Sequence, residues 1–324
     1  MRILVTGGAG YIGSFMVNAL VNRGDSVIVL DNLERGHREA VNKNARLIIG
    51  DIKDKNLLNT VFTGQKIDVI FHFAGLISVE ESTKNPSIYF ENNVEGSRNL
   101  FETAAINEVN NYIFSSTAAV YGNPKMIPIP EDHEKNPTSP YGESKLEIER
   151  RLESMRSKKS DISFACLRYF NASGAALDGV MGEGHNPETH IIPLAIKAIK
   201  NKTSFKLFGT DYDTPDGTCL RDYIHVLDLV EAHILALNKV LNNSGGYFYN
   251  VGTGKGVSNK EVIETVMNIS GLTTDVEACP RRPGDADRLI ADPSRIRGEL
   301  GFEAKYSDIE TIVKTAWQWH SKNG

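Results

Sequence analysis

The sequence predicts an α/β fold: a doubly wound parallel sheet over residues 1–172 and a smaller C-terminal α/β domain over residues 173–324. Three observations predict it. Short apolar, β-branched runs alternate with helix-periodic stretches from the second residue onward. A glycine cluster, Gly7-x-x-Gly10-x-x-Gly13, directly follows the first run. After about residue 171 the alternation loosens into Gly-rich, polar sequence with shorter elements. Strands that read as unbroken apolar runs spaced by helices belong to a parallel sheet covered on both faces.

The elements follow in order. RILVT (2–6) is the first strand, and the apolar-periodic stretch 11–23 is the first helix. SVIVLD (26–31) and ARLIIGD (45–51) are the next strands, followed by a helix over 53–62. DVIFHFAG (68–75) is the fourth strand and opens into helical sequence up to about residue 105. NYIFSS (111–116) is the fifth. A proline-bearing loop leads from it to a helix over 140–157, where Ser139 suits the N-cap and Pro140 the first helical position. ISFACLRYF (162–170) is the sixth strand. Residues 171–190 read as one long ordered loop, a length that in compact domains is often functional. Beyond it lie helices over 191–200, 226–241, 258–270 and about 309–320, with strands at 205–208 and 247–252. No flexible linker, repeat or low-complexity tract separates the halves, and the segment of about 221–252 can return to the first.

Of 324 residues, 36 are Lys or Arg and 41 are Asp or Glu, giving a net charge of −5 with the signs mixed along the chain. That balance disfavours a nucleic-acid or anionic-membrane binder. Cys166, Cys219 and Cys279 lack Cys-x-x-Cys spacing, which argues against a disulfide scaffold or a zinc site and fits a reducing, cytoplasmic location. The eight histidines show no ligand spacing such as His-x-x-x-His, so no metal is expected. The opening apolar run of about four residues is too short for a signal-peptide core. No segment approaches the roughly 20 apolar residues of a membrane span.

The glycine cluster sits between a strand and an apolar helix, the context in which it binds a dinucleotide. Glycines let the backbone turn tightly and approach a pyrophosphate, and the helix N-terminus offers free N–H groups and a positive dipole end. The second strand ends in Asp31, 24 residues after Gly7, where a carboxylate can accept from ribose hydroxyls. A carboxylate there repels a 2′-phosphate, so NAD is expected rather than NADP, although Arg35 and Arg38 lie nearby. The first domain is thus expected to be a Rossmann domain.

SPYGESK (139–145) places Tyr141 and Lys145 one helical turn apart. The other Tyr-x-x-x-Lys spacing, Tyr121/Lys125, contains Pro124, which resists continuing a helix. The fifth strand runs into SSTAAVYG (115–122), so Ser115, Ser116 and Thr117 bring hydroxyls to the carboxyl end of the sheet, where such folds bind ligands.

These residues, together with DNL (31–33), GDI (50–52), HFAG (72–75) and LRYFNASGA (167–175), resemble the extended short-chain dehydrogenase/reductases. RDYIHVLDL (221–229) and PRRPGD (280–285) narrow the resemblance to their UDP-glucose 4-epimerases, over essentially the whole chain. The resemblance implies that Tyr141 is the base, that Lys145 lowers its pKa and holds the nicotinamide ribose, and that Thr117 is the hydroxyl partner near the sugar O4. A phenol with a pKa of roughly 10 must fall by about three units to act near neutrality, and two nearby cations, Lys145 and an oxidised nicotinamide, favour the phenolate. The implied reaction is transient oxidation at C4 of a UDP-hexose, UDP-galactose to UDP-glucose, with NAD tightly bound throughout.

Carried over residue by residue, Gly7, Gly10, Tyr11, Ile12 and Gly13 form the phosphate turn. Asp31 and Asn32 meet the adenosine ribose, and Asp51 and Ile52 the adenine. Phe73, Ala74 and Gly75 lie beside the cofactor, with Asn92 near and Phe170 by the nicotinamide. The implied UDP-sugar contacts are Thr117, Asn171, His190, Leu207, Phe208, Arg221, Arg282 and Asp285; guanidinium groups suit a pyrophosphate because they donate paired hydrogen bonds. The resemblance also implies a homodimer packed through the helices near 86–106 and 140–157. Ile77 stands where some relatives carry lysine, and His190 where Asn is common. Leu289 stands where relatives vary between a large aromatic and a small residue, leaving N-acetylated sugars open. Three other activities share the cofactor chemistry: UDP-N-acetylglucosamine 4-epimerase, 4,6-dehydratase and UDP-glucuronate decarboxylase. The dehydratases usually carry Asp-Glu where this chain has Ala118-Ala119. A catalytically dead NAD-binding module is disfavoured by the joint presence of Thr117, Tyr141 and Lys145.

Overall fold

The structure, a computed structural model, describes residues 1–282 and 285–323. The chain divides into two compact units, one of residues 1–122, 134–168 and 230–249, the other of residues 123–133, 169–229 and 250–324. The change of unit falls at 168/169 rather than at the expected 172/173. The physical reason is a strand at Asn171–Ser173 that pairs in parallel with Tyr223–His225 and draws its neighbours into the second unit.

Seven strands form the sheet of the first unit: β1 (Arg2–Thr6), β2 (Ser26–Asp31), β3 (Arg46–Ile49), β4 (Val69–His72), β5 (Asn111–Thr117), β6 (Ser163–Tyr169) and β7 (Gly246–Val251). Their order is β7-β6-β5-β4-β1-β2-β3. β1 pairs in parallel with both β2 and β4, β2 with β3, and β4 with β5. The strand sequence runs outward in opposite directions from β1 and β4. A crevice opens at such a reversal, beyond the carboxyl ends of the strands.

Four helices matter to the site: α1 (Tyr11–Asn22), α2 (Lys55–Phe62), α3 (Gly96–Ile106) and α4 (Pro140–Lys158). α2 starts two residues later than expected because the Asp54 carboxylate accepts from the N–H groups of Asn56 and Leu57 and so fixes the cap. α4 is capped as expected, with Ser139 Oγ accepting from Gly142 N and Pro140 at the first position. The helical stretch after β4 is broken into Val79–Lys84, Pro86–Tyr89, a wider π-type turn at Phe90–Glu95, and α3. Strand residues Leu4, Leu30, Ile70, Phe114 and Cys166 pack against Leu58, Phe101 and Leu152 of the helices, all fully buried. Each such side chain contributes about 1.5–3 kcal/mol.

The second unit is built from shorter pieces. Phe205–Phe208 pairs with Val276–Cys279, and Leu220–Arg221 lies between Val257–Ser258 and Arg288–Leu289. The helices Ile191–Asn201, Asn259–Ser270 and Ile309–Asn323 bury Ile196, Val266, Ile312 and Val313 against Phe205 and Leu207. Residues 171–190 are therefore not one loop, since their first three form a strand. Among the described residues no helix is long and apolar enough to cross a membrane.

Candidate active site

The glycine turn joins β1 to α1 at the sheet reversal. Gly7 takes a positive φ of 72°, and a Cβ there would stand 2.5 Å from Ala74 N, so the turn lies directly against the chain leaving β4. A Cβ on Gly13 would meet Gly7 O at 2.1 Å, which fixes how closely α1 packs on its own turn. Gly10 is different. The nearest atom to a Cβ there would be Gly7 O at 3.4 Å, ordinary van der Waals contact. Packing within the protein does not require glycine at this position. Gly10 is also the N-cap of α1, and no side chain caps that helix among the described residues. The first-turn N–H groups, including Tyr11 and Ile12, need acceptors from outside the helix.

At the end of β2, the Asp31 carboxylate accepts from Ala9 N at 2.9 Å and Leu33 N at 2.9 Å, which orients it beside the turn. Asn32 Nδ2 donates to Asp51 Oδ2 at 3.3 Å, so two of the residues expected at the adenosine meet directly. Ile52 is buried beneath Gly96. Phe73 stacks on Phe71, with centroids 6.4 Å apart, and stands 5.1 Å from the His233 ring.

Thr117 ends β5, and its Oγ1 accepts from Ala119 N at 3.1 Å. The Thr117 hydroxyl also hydrogen-bonds Tyr141. Burial raises the Tyr141 pKa above its ordinary value, and the Thr117 hydrogen bond offsets this only in part. With protein groups alone the phenol is therefore protonated at neutral pH, in contrast to the expected downward shift. Lys145, one turn on, is 2% exposed and donates to Ser115 O at 2.9 Å. Burial brings the Lys145 pKa down to about 8. A Cβ on Gly75 would stand 3.5 Å from Lys145 Nζ, so Gly7, Ala74, Gly75 and Lys145 form one chain of close approaches from the glycine turn to α4. Tyr121, by contrast, is buried on a short turn that ends at Gly122 with φ 63°, and shares no helix with Lys125.

Sequence reasoning missed the supports of this site. Glu149, two turns beyond Tyr141 on α4, is paired with Arg168 of β6, and both side chains are 1% exposed. Arg168 Nε donates to Glu149 Oε1 at 2.9 Å and Nη2 to Oε2 at 2.6 Å, while Ser116 Oγ donates to Oε1 at 2.6 Å. Burial alone would lower the Arg168 pKa, but the Glu149 carboxylate outweighs it and holds the guanidinium charged. A second chain runs under the glycine turn. Thr6 Oγ1 and His72 Nδ1 stand 2.7 Å apart, and His72 Nε2 meets Ser97 Oγ at 2.7 Å. Burial, with a smaller contribution from Lys145, brings His72 down to about 3, so it is neutral. Asn93 rather than Asn92 is the buried member of the pair. Its amide bonds Leu76 N, Leu76 O and Ser144 Oγ at 2.8–3.1 Å, and Asn92 Nδ2 donates to Asn93 Oδ1 at 3.0 Å. The available signal was the spacing Tyr141, Lys145, Glu149, which keeps one face of α4 over two turns.

In the second unit, Asn171 donates to Asp222 O through both its backbone N–H and Nδ2, at 3.0 Å each. Phe170 is half-buried, just ahead of that strand. Arg282 lies over the Phe208 ring, 4.1 Å from its centroid, and Arg221 stands 3.8 Å from Asp285 Oδ1. A stacked guanidinium keeps its in-plane N–H groups for an anion. Leu207 is buried in the apolar core, which leaves only its backbone to meet a ligand. His190 Nδ1 stands 2.5 Å from Glu183 Oε1. Burial lowers its pKa, but the charge of Glu183 outweighs this and pushes it up to about 10. Leu289 is half-buried on its short strand. Pro283 and Gly284 of the PRRPGD motif lie outside the described residues.

A family model described as NAD dependent epimerase/dehydratase family matches residues 3–252. The chain belongs to this family. A curated member from Halalkalibacterium halodurans, a UDP-glucose 4-epimerase, is 46% identical over 324 residues that span 100% of this chain and 96% of the relative. A crystal structure of UDP-glucose 4-epimerase has 44% sequence identity and a TM-score of 0.96, covering 100% of this chain and 98% of the other. The Bifidobacterium longum UDP-glucose 4-epimerase in complex with NAD+ and UDP has 36% identity and a TM-score of 0.94, covering 100% and 99%. The NAD of this epimerase/dehydratase family fits the first unit. The open cradle at Gly10, the start of α1 without a side-chain cap among the described residues, and the oriented Asp31 carboxylate supply room, donors and a ribose acceptor.

Proposed function

We propose that the protein inverts C4 of a UDP-hexose, interconverting UDP-galactose and UDP-glucose through a transient 4-keto sugar. NAD held by the glycine turn, Asp31, Asn32, Asp51, Ile52, Phe73–Gly75, Asn92, Lys145 and Phe170 supplies reversible uptake of a hydride. The protein's own residues manage the proton and the position. Tyr141 takes the 4-hydroxyl proton and returns it, and Thr117 donates a hydrogen bond that steadies the phenolate. Lys145 supplies positive charge one turn away and holds ribose hydroxyls with the N–H groups that Ser115 does not use. Because burial raises the Tyr141 pKa, ionisation depends on positive charge brought beside it. The tyrosine is thus a base only in the loaded enzyme.

The observation that carries this reading is the hydrogen bond between Thr117 and Tyr141 with Lys145 buried one turn on. In the second unit, Asn171, Phe208, Arg221, Arg282, Asp285, His190 and the Leu207 backbone would hold the UDP-sugar. The stack of Arg282 on Phe208 supports a pyrophosphate there. The relatives' names support the substrate. The finer proposals are a cytoplasmic location, supported by three free cysteines, and a homodimer through the segments near 86–106 and 140–157.

The test is incubation with UDP-galactose, with UDP-glucose expected as product and no net NAD consumed; a 4-keto-6-deoxy sugar, or CO₂ released when UDP-glucuronate is offered in a parallel incubation, would overturn the reading. Tyr141→Phe should leave NAD binding intact and lower kcat by about 10²–10⁴-fold, the usual worth of a general base. A variant that kept most of its turnover would remove Tyr141 from that role. Running the N-acetylated substrate beside UDP-galactose settles the pocket around Leu289.

A further inference from the structure

Four potential metal ligands converge within the second unit, on the stretch leading into the helix Ile191–Asn201. Glu183, His185, Glu188 and His190 each bring one ligand atom into a group whose members all lie within 4.8 Å of one another. His185 Nδ1 is 2.8 Å from Glu183 Oε1, and His190 Nδ1 is 2.5 Å from that oxygen and 3.4 Å from Glu188 Oε1. We propose that this cluster is a structural site for one divalent cation of the zinc type, bound by two imidazoles and two carboxylates.

The donor set selects the ion class. Imidazole and carboxylate suit zinc, whereas two imidazoles disfavour magnesium and calcium, which prefer oxygen. Among the described residues the group contains no thiolate, so a soft monovalent copper site is not favoured. Tetrahedral zinc with bonds of about 2.0–2.1 Å sets its ligand atoms about 3.3–3.4 Å apart. The present separations bracket that value, so loading requires the two close pairs to open and the widest to draw in. Four protein ligands close the coordination sphere, the mark of a structural rather than a catalytic ion.

The surroundings are those of a built site. Glu183 is 3% exposed, and its backbone carbonyl accepts from Trp319 Nε1 at 2.8 Å. Glu188 Oε1 is aimed by the N–H groups of Thr189 at 2.7 Å and His190 at 2.8 Å. Such outer contacts orient metal ligands and tune affinity. His190 Nδ1 is enclosed and makes no well-directed hydrogen bond, although the ring edge is two-fifths exposed. Two carboxylates and two imidazoles at one point need positive charge between them. A bound cation supplies it with four bonds. The ion would tie residues 183–190 to the start of the helix Ile191–Asn201. The pattern Glu-x-His-x-x-Glu-x-His carries this site, which a search for His-x-x-x-His passes over.

The test uses the full chain. Protein stripped with EDTA and dialysed is titrated with ZnCl₂ by calorimetry, with His185→Ala and Glu188→Gln alongside and folding checked by circular dichroism. One ion per chain is expected in the wild type, with a rise in Tm, and each variant should bind at least about tenfold more weakly. X-ray absorption of the zinc-loaded wild type should show nitrogen and oxygen ligands with imidazole scattering. The proposal is overturned if the wild type takes up no ion at one-to-one stoichiometry, if both variants bind as tightly as the wild type, or if sulfur appears in the coordination shell.

Discussion

Replacing Glu149 by glutamine should cost the first unit about 3–5 kcal/mol, the usual penalty for leaving one partner of a buried ion pair uncompensated. The structure sets that magnitude. Arg168 has no exposed surface, and two of its N–H groups end on the carboxylate at 2.9 and 2.6 Å. The third acceptor bond, from Ser116, ties the carboxylate to the strand that carries Thr117. Glutamine keeps the shape and loses the charge, so the guanidinium stays buried with neutral acceptors only, the amide oxygen and the Tyr121 hydroxyl at 2.9 Å. The double replacement Glu149→Leu with Arg168→Met removes both charges, and apolar substitutes for buried pairs are often neutral or stabilising by about 1–4 kcal/mol. Thermal melts followed by circular dichroism read the difference. At about 2 °C per kcal/mol for a chain of this size, Glu149→Gln should melt roughly 6–10 °C below wild type. The double variant should recover most of that. If the single variant melts within 2 °C of wild type, or the double variant is the worse of the two, the pair does not hold α4 to the sheet as argued.

Three further outcomes follow from the site. Lys145 is held at about 8 against an ordinary 10.5. The unfolded chain therefore binds that proton more tightly, and this group's penalty is full below pH 8 and relieved as pH rises to 10.5. Two and a half pH units correspond to about 3 kcal/mol, so Lys145→Met should raise stability at pH 7 by up to that amount while abolishing turnover; a destabilised variant would contradict this. Gly10→Ala should melt with the wild type yet bind NAD roughly tenfold or more weakly, whereas Gly13→Ala, with a clash at 2.1 Å, should lose stability as well. Equal effects of the two on melting would refute the distinction. Phe208→Leu removes the stack under Arg282, worth about 0.5–2 kcal/mol, and should raise KM for the UDP-sugar about 2- to 30-fold with little change in kcat. An unchanged KM would place the nucleotide elsewhere.

Much of the first unit was legible in the sequence because its signals are strong and local. An unbroken apolar run such as SVIVLD can only be a buried strand, and Ser139-Pro140 marks a helix start without reference to anything distant. The glycine turn was legible for the same reason. The π-type turn at Phe90–Glu95 was not, because it arises from Asn93 reaching the Leu76 backbone and Ser144 across the fold. The second unit hid more. Leu220–Arg221 and Arg288–Leu289 are two-residue strands, too short to show alternation, and they exist through pairing with partners far away in sequence. Asn171–Ser173 was masked by small residues that read as loop. At the site, spacing put Tyr141 and Lys145 one turn apart and Thr117 at the carboxyl end of its strand, and the structure hydrogen-bonds Thr117 to Tyr141 and buries Lys145. Residue types and spacing did not find Glu149, Arg168 or His72, whose roles depend on which buried groups the folded chain brings into contact.

The passage of the chain between the two units at 122/123, 133/134, 168/169, 229/230 and 249/250 bears on how the molecule is made. A nascent chain emerging from the ribosome cannot finish its first sheet early. The edge strand β7 is drawn from residues 246–251, so β6 stays an open edge until those residues have been synthesised. Truncations ending anywhere before that strand should aggregate rather than yield a soluble nucleotide-binding fragment. Neither half can be excised or swapped as a cassette, and any attempt to graft the second unit onto another enzyme must reconnect the backbone at all five crossings.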